Sequence, residues 1–302
     1  MKSLNDINTQ VFSLLEDLHV YGMKSDPRGQ KVVEAMVATL DIDPTLPIIE
    51  LPDRPFNYKY FAGELAWFIS RNTSVKFINN FSSFWNRITD NTNNVNSNYG
   101  NILLGPHPAG TNQLKWAYDS LVKDKFSRQA VCFLNSPYYQ YPNNKDFVCT
   151  MYINFWIRNN KLDMKVQMRS NDIFFGLTYD APWFSMIHQS MFMNLKKIYP
   201  ELSLGMYYHC ADNIHYYERH FELVNKIMNT PVPDEGYNSP KFVLKHPLFS
   251  FENDSFEITQ EAATYLSTTA ANVLENKEVD WKNHLNTLVD ISSEIVSLEP
   301  QI

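Results

Sequence analysis

The sequence predicts a chain of mixed α/β class, and three observations carry that expectation. Apolar residues recur at helical spacing in several places: Val11, Phe12, Leu14, Leu15, Leu18 and Val20 near the N-terminus, stopped by Gly22, and again over residues 184–198. The centre reads as strands, with residues 129–133, 147–158 and 161–168 rich in β-prone side chains and an Asn159-Asn160 turn joining the last two as a hairpin. Finally, 302 residues of which 44% are hydrophobic supply ample apolar side chain for a core, in one large or two modest domains.

Between these landmarks the pattern is coarser. Residues 24–53 carry Pro44, Pro47 and short β-prone runs, and are expected to form strands or loops. Residues 61–78 read as a helix bearing Glu64, Trp67 and Phe68, and 90–98 as an Asn-rich loop leading into Tyr99 and Gly100. The methionines of 184–198 lie on its apolar side and are read as core filling. Two polar amphipathic patterns, 258–274 and 281–296, predict helices in a C-terminal extension.

Composition narrows the function classes. A net charge of −7 opposes a broad nucleic-acid surface, which needs clustered Lys and Arg, so no direct nucleic-acid partner is expected. An aromatic content of 14% suits a site that stacks flat rings. Cys132, Cys149 and Cys210 are odd in number and lack C-x-x-C spacing, which suggests neither a disulfide framework nor a metal site and fits a reducing, cytoplasmic setting. The N-terminus shows no basic segment followed by an apolar run, and no stretch is long enough to span a bilayer. Phosphate-loop, dinucleotide, metalloprotease, nucleophile-elbow and deaminase motifs are absent.

What remains is a set of dispersed segments: Glu64-Leu65-Ala66-Trp67-Phe68, Trp85 fourteen residues before Tyr99-Gly100, Asp146-Phe147-Val148-Cys149-Thr150, Gln167 to Asp172, Gly176 to Asp180, and His215-Tyr216-Tyr217. In order and spacing they resemble the thymidylate synthase superfamily. The runs DFVCT, MRSND and FGLTYDAPW are most similar to its deoxycytidylate hydroxymethylase branch, found in viruses that carry modified cytosine in their DNA. The resemblance covers roughly residues 55–225, which divides the chain into a catalytic domain, 1–245, and a helical extension, 246–302, of unassigned role.

The resemblance implies a large mixed sheet flanked by helices, a homodimer packed sheet to sheet with shared active sites, 5,10-methylenetetrahydrofolate as co-substrate, a pyrimidine nucleoside monophosphate as substrate, and no metal. Alone, Cys149 reads as a small buried hydrophobe. Twenty residues before Arg169, it takes the place of the family's nucleophile, which must be a thiolate to attack pyrimidine C6 and which a guanidinium helps to ionise. Glu64 takes the role of proton handling and water ordering, and Tyr99 that of aiding C5 proton removal, although each also reads as an ordinary helix or packing residue. Trp85 would wall the cofactor, Asp172 would hydrogen-bond the pterin, and Gly176 would let the pterin edge approach closely.

For the phosphate the family pattern points to Arg169, Ser170 and Arg128, the last reaching across the dimer, with Arg28 as an N-terminal candidate. His215 and Tyr217 match the pair that binds the sugar hydroxyl. Asp180 is the specificity residue: thymidylate synthases carry Asn there, whose amide donates to O4 and accepts from N3–H of uracil, whereas cytosine reverses both demands and suits a carboxyl that holds or shares a proton. Asp180 ahead of Pro182 also reads as a helix cap. Three departures stand out. Gln129 replaces the family's second arginine, Thr150 replaces the thymidylate synthase His as it does in the hydroxymethylase branch, and the chain continues past the family's usual C-terminus. The implied activity is hydroxymethylation of dCMP at C5. The alternatives are a dCMP or CMP methylase, a dUMP hydroxymethylase, and an inactive relative serving as a component of a nucleotide-synthesis complex.

Overall fold

The computed structural model describes residues 6–89, 92–106, 110–231, 238–252 and 255–292. Helix α1, Ile7–Tyr21, starts where the Asp6 carboxylate accepts the N–H of Asn8 at 2.8 Å and stops at Gly22, burying Ile7, Val11, Leu15 and Leu18 on one face. Strands β1, Met23–Ser25, and β2, Val32–Ile42, pair antiparallel.

Helix α2, Tyr58–Ser70, is capped by Asn57 and buries an unbroken run from Phe61 to Ile69. It ends at Arg71, whose φ of 58° is left-handed, so the helix predicted over 61–78 stops eight residues early. The cause is local competition for backbone donors: Asn72 accepts the N–H of Ser74 at 2.9 Å and the Trp67 indole donates to the Ser74 carbonyl at 3.0 Å, folding the chain back on the helix. Residues 90 and 91 of the Asn-rich loop lie outside the described residues. Helix α3, Tyr99–Leu104, is capped by Asn98, and α4, Gln113–Lys123, by Asn112.

Strands β3, Val131–Phe133, β4, Thr150–Arg158, and β5, Lys161–Met168, follow, each beginning a few residues inside or at the predicted bounds. Asn159 and Asn160 take φ of 48° and 56°, the two positive values a tight hairpin between right-twisted strands requires. Beyond β6, Asn171–Asp172, a single π turn, Ile173–Leu177, runs into helix α5, Thr178–Lys196, and then strand β7, Ser203–Tyr217. The main sheet has the order β1-β2-β7-β5-β4-β3, with β6 also paired to β7. Because β5 and β7 are parallel, α5 crosses over the sheet between them and is buried along nearly its whole length. The β5 residues Leu162, Met164, Val166 and Met168 face this core, while Asp163, Lys165 and Gln167 alternate onto a half-buried opposite face where Trp156 and Tyr208 stack 5.9 Å apart.

Helix α6, Phe221–Asn229, and strands β8, Lys241–Leu244, β9, Phe249–Ser250, and β10, Glu257–Ile258, lead to helix α7, Gln260–Leu274. The helix predicted over 281–296 is corrected: α8 spans only Trp281–Leu285, and Val289–Ser292 is strand β11, paired antiparallel with β8; residues 293–296 lie outside the described residues. Pairing with β8 overrides the local helical pattern. Helix α7 lies against α2, where the buried Tyr265 hydroxyl donates to the Ala62 carbonyl at 3.0 Å.

Candidate active site

The register brings the singled-out residues to one end of the sheet. Cys149 immediately precedes β4, and antiparallel pairing of Thr150 with Met168 puts the end of β5, with Arg169 and Ser170, beside it. Parallel pairing carries Asn171 and Asp172 to Ile214 and His215 near the end of β7, and Val32 opposite Tyr217 brings the start of β2 and the preceding Arg28 to the same edge. Helices α2, α3 and α5 carry Glu64, Tyr99 and Asp180. Gly100 lets α3 lie directly on α2, since a Cβ there would be 1.8 Å from the Phe68 carbonyl oxygen, and this seats Tyr99 against Phe68 and Phe184.

Cys149 is half-buried, with Sγ 3.4 Å from Arg169 Nη2; the same guanidinium donates to the carbonyls of Val148 and Phe147 and lies over the Phe147 ring. Burial pushes the thiol above its ordinary value and Arg169 pulls it back, with Asp180 and Asp146 opposing and Arg28 assisting. Arg169 thus favours the thiolate, while desolvation, the larger effect, opposes it. The charge of Arg28, in the Pro27–Gly29 turn, reaches both Cys149 and Tyr217.

Two buried carboxyls lie within electrostatic reach of each other, and one of them, Asp180, also acts on the thiol. Burial lifts Glu64 to about 8, a hydrogen bond from Tyr60 at 2.6 Å draws it down, and the charge of Asp180 raises it further. Burial lifts Asp180 to about 7 against a 2.7 Å hydrogen bond from the Asn171 amide. Tyr99 is held above its ordinary value by burial and by Asp180 and Cys149, and its hydroxyl is hydrogen-bonded to Thr150. The helix-cap reading of Asp180 is corrected. Helix α5 already begins at Thr178, continuing from the π turn, so Asp180 sits inside the first turn with its carboxylate on Asn171.

His215 is lowered to about 4, first by burial, with Glu34 raising it and Arg219 and Arg169 lowering it; its Nδ1 is 2.9 Å from the Asn213 amide oxygen, which Ser170 also approaches at 3.4 Å. Tyr217 packs edge-on to His215, with Arg219 over its ring. Asp172 caps the π turn through Oδ1, which accepts the N–H groups of Phe174 and Phe175 at 2.7 and 3.0 Å, whereas its buried Oδ2 accepts no hydrogen bond and has Arg219 at 3.8 Å. An orphaned buried acceptor fits a heterocycle's N–H donors. Trp85 is buried edge-on to Trp67, its indole donating to Tyr60 at 3.1 Å. Gly176 has a reason apart from ligand approach: a Cβ there would be 2.6 Å from the Asn171 amide nitrogen.

Arg128 is the residue that one chain does not bring to this cluster. It is exposed two residues before Ala130, whose carbonyl accepts from Phe155, so it lies toward the far end of β4, about 20 Å of strand from Cys149. Cys132 is buried and Cys210 accepts from Thr39 at 3.6 Å. Sequence reasoning missed Tyr60, Asn171, Arg219 and Asp146. Tyr60 lies one turn before Glu64 on the same helix face, and Asp146 binds the N–H of Ser97 at 2.9 Å and its hydroxyl at 2.6 Å, fixing the approach to Tyr99. Tyr60 stands four residues before the quoted Glu64 run and Asp146 opens the quoted DFVCT run, so both were visible there as polar residues. Among the described residues no cluster of His, Cys, Asp and Glu is arranged to hold a metal ion, and no helix is long and apolar enough to cross a membrane.

A mixed sheet flanked by helices, with a thiol, an arginine beside it, buried carboxyls and a His-x-Tyr edge gathered at one end, is a scaffold of the thymidylate synthase type. The family model for thymidylate synthase matches residues 10–270, and the chain belongs to that family. Among curated relatives, the deoxycytidylate 5-hydroxymethyltransferase of Enterobacteria phage T2 is 27% identical over 217 residues, 68% of this chain and 83% of its own length. That of Enterobacteria phage T4 is 27% identical over 212 residues, 66% and 81% of the two chains. The deoxyuridylate hydroxymethyltransferase of Bacillus phage SP01 is 26% identical over 202 residues, 63% of this chain and 52% of its own.

Proposed function

We propose that the protein transfers a one-carbon unit to C5 of dCMP and releases 5-hydroxymethyl-dCMP. The observation that carries this reading is Asp180, a carboxyl lifted to about 7 beside the nucleophile, which supplies the proton-sharing partner that cytosine N3 and the 4-amino group require. The phage T2 and T4 relatives support it.

Cys149 Sγ attacks C6 of the pyrimidine, forming the S–C6 bond while the C5=C6 electron pair moves to C5 and makes that carbon nucleophilic. Arg169, 3.4 Å from Sγ, stabilises the thiolate and, with Ser170 and Arg28, offers donors to the phosphate dianion. His215 and Tyr217 hold the sugar. When bound, 5,10-methylenetetrahydrofolate supplies the carbon at the oxidation level of formaldehyde; the Oδ2 of Asp172, which accepts no hydrogen bond, and the Trp85 wall are the groups that would hold it. Tyr99, near both Cys149 and Asp180, assists loss of the C5 proton. Glu64, neutral at pH 7 because of its burial, orders the water that completes the hydroxymethyl group, after which the S–C6 bond breaks, the C5=C6 double bond re-forms and Cys149 leaves as the thiolate. Arg128 is contributed by a second copy, packed on the half-buried sheet face that carries Trp156 and Tyr208.

The test is incubation with methylenetetrahydrofolate and dCMP, dUMP or CMP, following product mass and dihydrofolate absorbance together. Hydroxymethyl-dCMP without dihydrofolate is the expected result. A methylated product with stoichiometric dihydrofolate identifies a methylase, hydroxymethyl-dUMP as the main product identifies the activity named for the SP01 relative, and no product from any nucleotide identifies a binding component.

A further inference from the structure

Asp180 does not stand alone. Its Oδ2 accepts from Asn171 Nδ2 at 2.7 Å, Asn171 Oδ1 lies 3.2 Å from His209 Nε2, and His209 Nδ1 lies 2.6 Å from the Tyr207 hydroxyl. The three supporting residues are 3%, 1% and 0% exposed, so water does not complete their hydrogen bonding. Gly176 leaves room for the first of these bonds, because a Cβ there would lie 2.6 Å from the Asn171 amide nitrogen and 3.4 Å from Asp180 Oδ2.

Hydrogen-bond inventory gives the chain one direction. An amide has a donor end and an acceptor end, so if Nδ2 donates to Asp180, Oδ1 must accept, His209 carries its proton on Nε2, and its Nδ1 accepts from Tyr207. The reverse direction would make the Tyr207 oxygen an acceptor from His209 and leave a fully buried O–H with no acceptor among the described residues, which is the costlier arrangement. Burial also keeps His209 neutral, at about 3, so it offers one donor and one acceptor.

We infer that Asn171, His209 and Tyr207 form a positioning relay that reserves Oδ2 of Asp180 as an acceptor, confines any carboxyl proton to Oδ1, and thereby fixes the donor–acceptor pattern shown to the base. The inference deepens the proposed function and rests on it, since the pattern is matched to a 4-aminopyrimidine with Oδ1 facing N3. Without the Nδ2–H, the proton is free to occupy either oxygen and the carboxyl serves 4-amino and 4-oxo bases more evenly.

The test compares dissociation constants for dCMP and dUMP, without folate, in the wild type, Asn171→Ala and Tyr207→Phe. The Tyr207→Phe change keeps the ring and removes only the terminal donor, which protects the experiment if Asn171→Ala folds poorly. A wild-type preference for dCMP that falls by about tenfold in Asn171→Ala, and by a smaller factor in Tyr207→Phe, supports the relay. An unchanged ratio in both variants, with both affinities weakened in proportion, assigns these residues a structural role and overturns the inference while leaving the proposed function standing. A wild type that does not prefer dCMP overturns the proposed reading of Asp180, and the relay's matched base with it.

Discussion

At the residue scale, substrate choice turns on one carboxyl and one thiol. Replacing Asp180 by Asn restores the amide that matches uracil once its carbonyl oxygen faces N3–H; its amide nitrogen then takes the place of Oδ2, and the Asn171 amide must turn over to accept from it. The expected outcome is a shift of the dUMP-to-dCMP ratio of kcat/KM toward dUMP by roughly 10² or more, the scale on which hydrogen-bonding sites discriminate. Equal loss on both nucleotides would remove Asp180 from base reading. Cys149→Ser keeps the volume and replaces the nucleophile, and turnover should drop by roughly 10³-fold or more while the melting temperature stays close to wild type. Retained turnover in that variant would transfer the chemistry away from covalent addition. Tyr60→Phe is a subtler case. It removes the donor to Glu64 and the acceptor for Trp85, so it should lift the Glu64 titration further and lower the rate with a small change in nucleotide affinity, read as a fall in kcat with KM held.

At the element scale, the site depends on how closely α3 approaches α2. A methyl group at Gly100 would collide with the Phe68 carbonyl, and α3 must retreat, taking Tyr99 with it. Gly100→Ala should cost about 1–3 kcal/mol in unfolding free energy, the range for overpacking, and reduce kcat more than nucleotide binding. Denaturant melts and steady-state kinetics read the two effects separately. This contact also shows what was legible in the sequence. The Tyr99-Gly100 pair and the β4–β5 hairpin were readable because their signals are local: a motif at fixed spacing, and two Asn residues that accept positive φ. The end of α2 was not, because Arg71 enters the left-handed region under Asn72 and Ser74, a competition that no periodicity records. Strand β11 was hidden by a helical pattern that its pairing with β8 overrides. The relay behind Asp180 was hidden too, since Tyr207 and His209 share a face of β7 and meet Asn171 only through the parallel register of β6 on β7.

At the scale of the whole molecule, the buried acids set a pH dependence. Glu64 at about 8 and Asp180 at about 7 bind protons in the native state that the unfolded chain has already lost above about pH 4, so stability falls as pH rises through the native values. His188, His215 and His220 at about 4 and His209 at about 3 act oppositely, but only below their ordinary value near 6.5. Between pH 6.5 and 8.5 the acids act without that opposition, and the melting temperature should decline. Glu64→Gln should flatten the decline, and a wild-type curve level across this window would place Glu64 in a more hydrated setting. Assembly is the second property at this scale. Arg128 lies toward the far end of β4 from Cys149, so a phosphate role for it requires another subunit, and each complete site would then combine the thiol of one chain with the arginine of its partner. Cys149→Ala and Arg128→Ala should each be nearly inactive, yet subunits exchanged between them would form mixed dimers in which one of the two sites has both residues. Random exchange of equal amounts should recover about a quarter of wild-type activity by symmetry of a two-fold dimer. Recovery requires both a dimer and a shared site. An exchanged mixture with no more activity than the separate variants would confine the phosphate site to Arg169, Ser170 and Arg28 of a single chain.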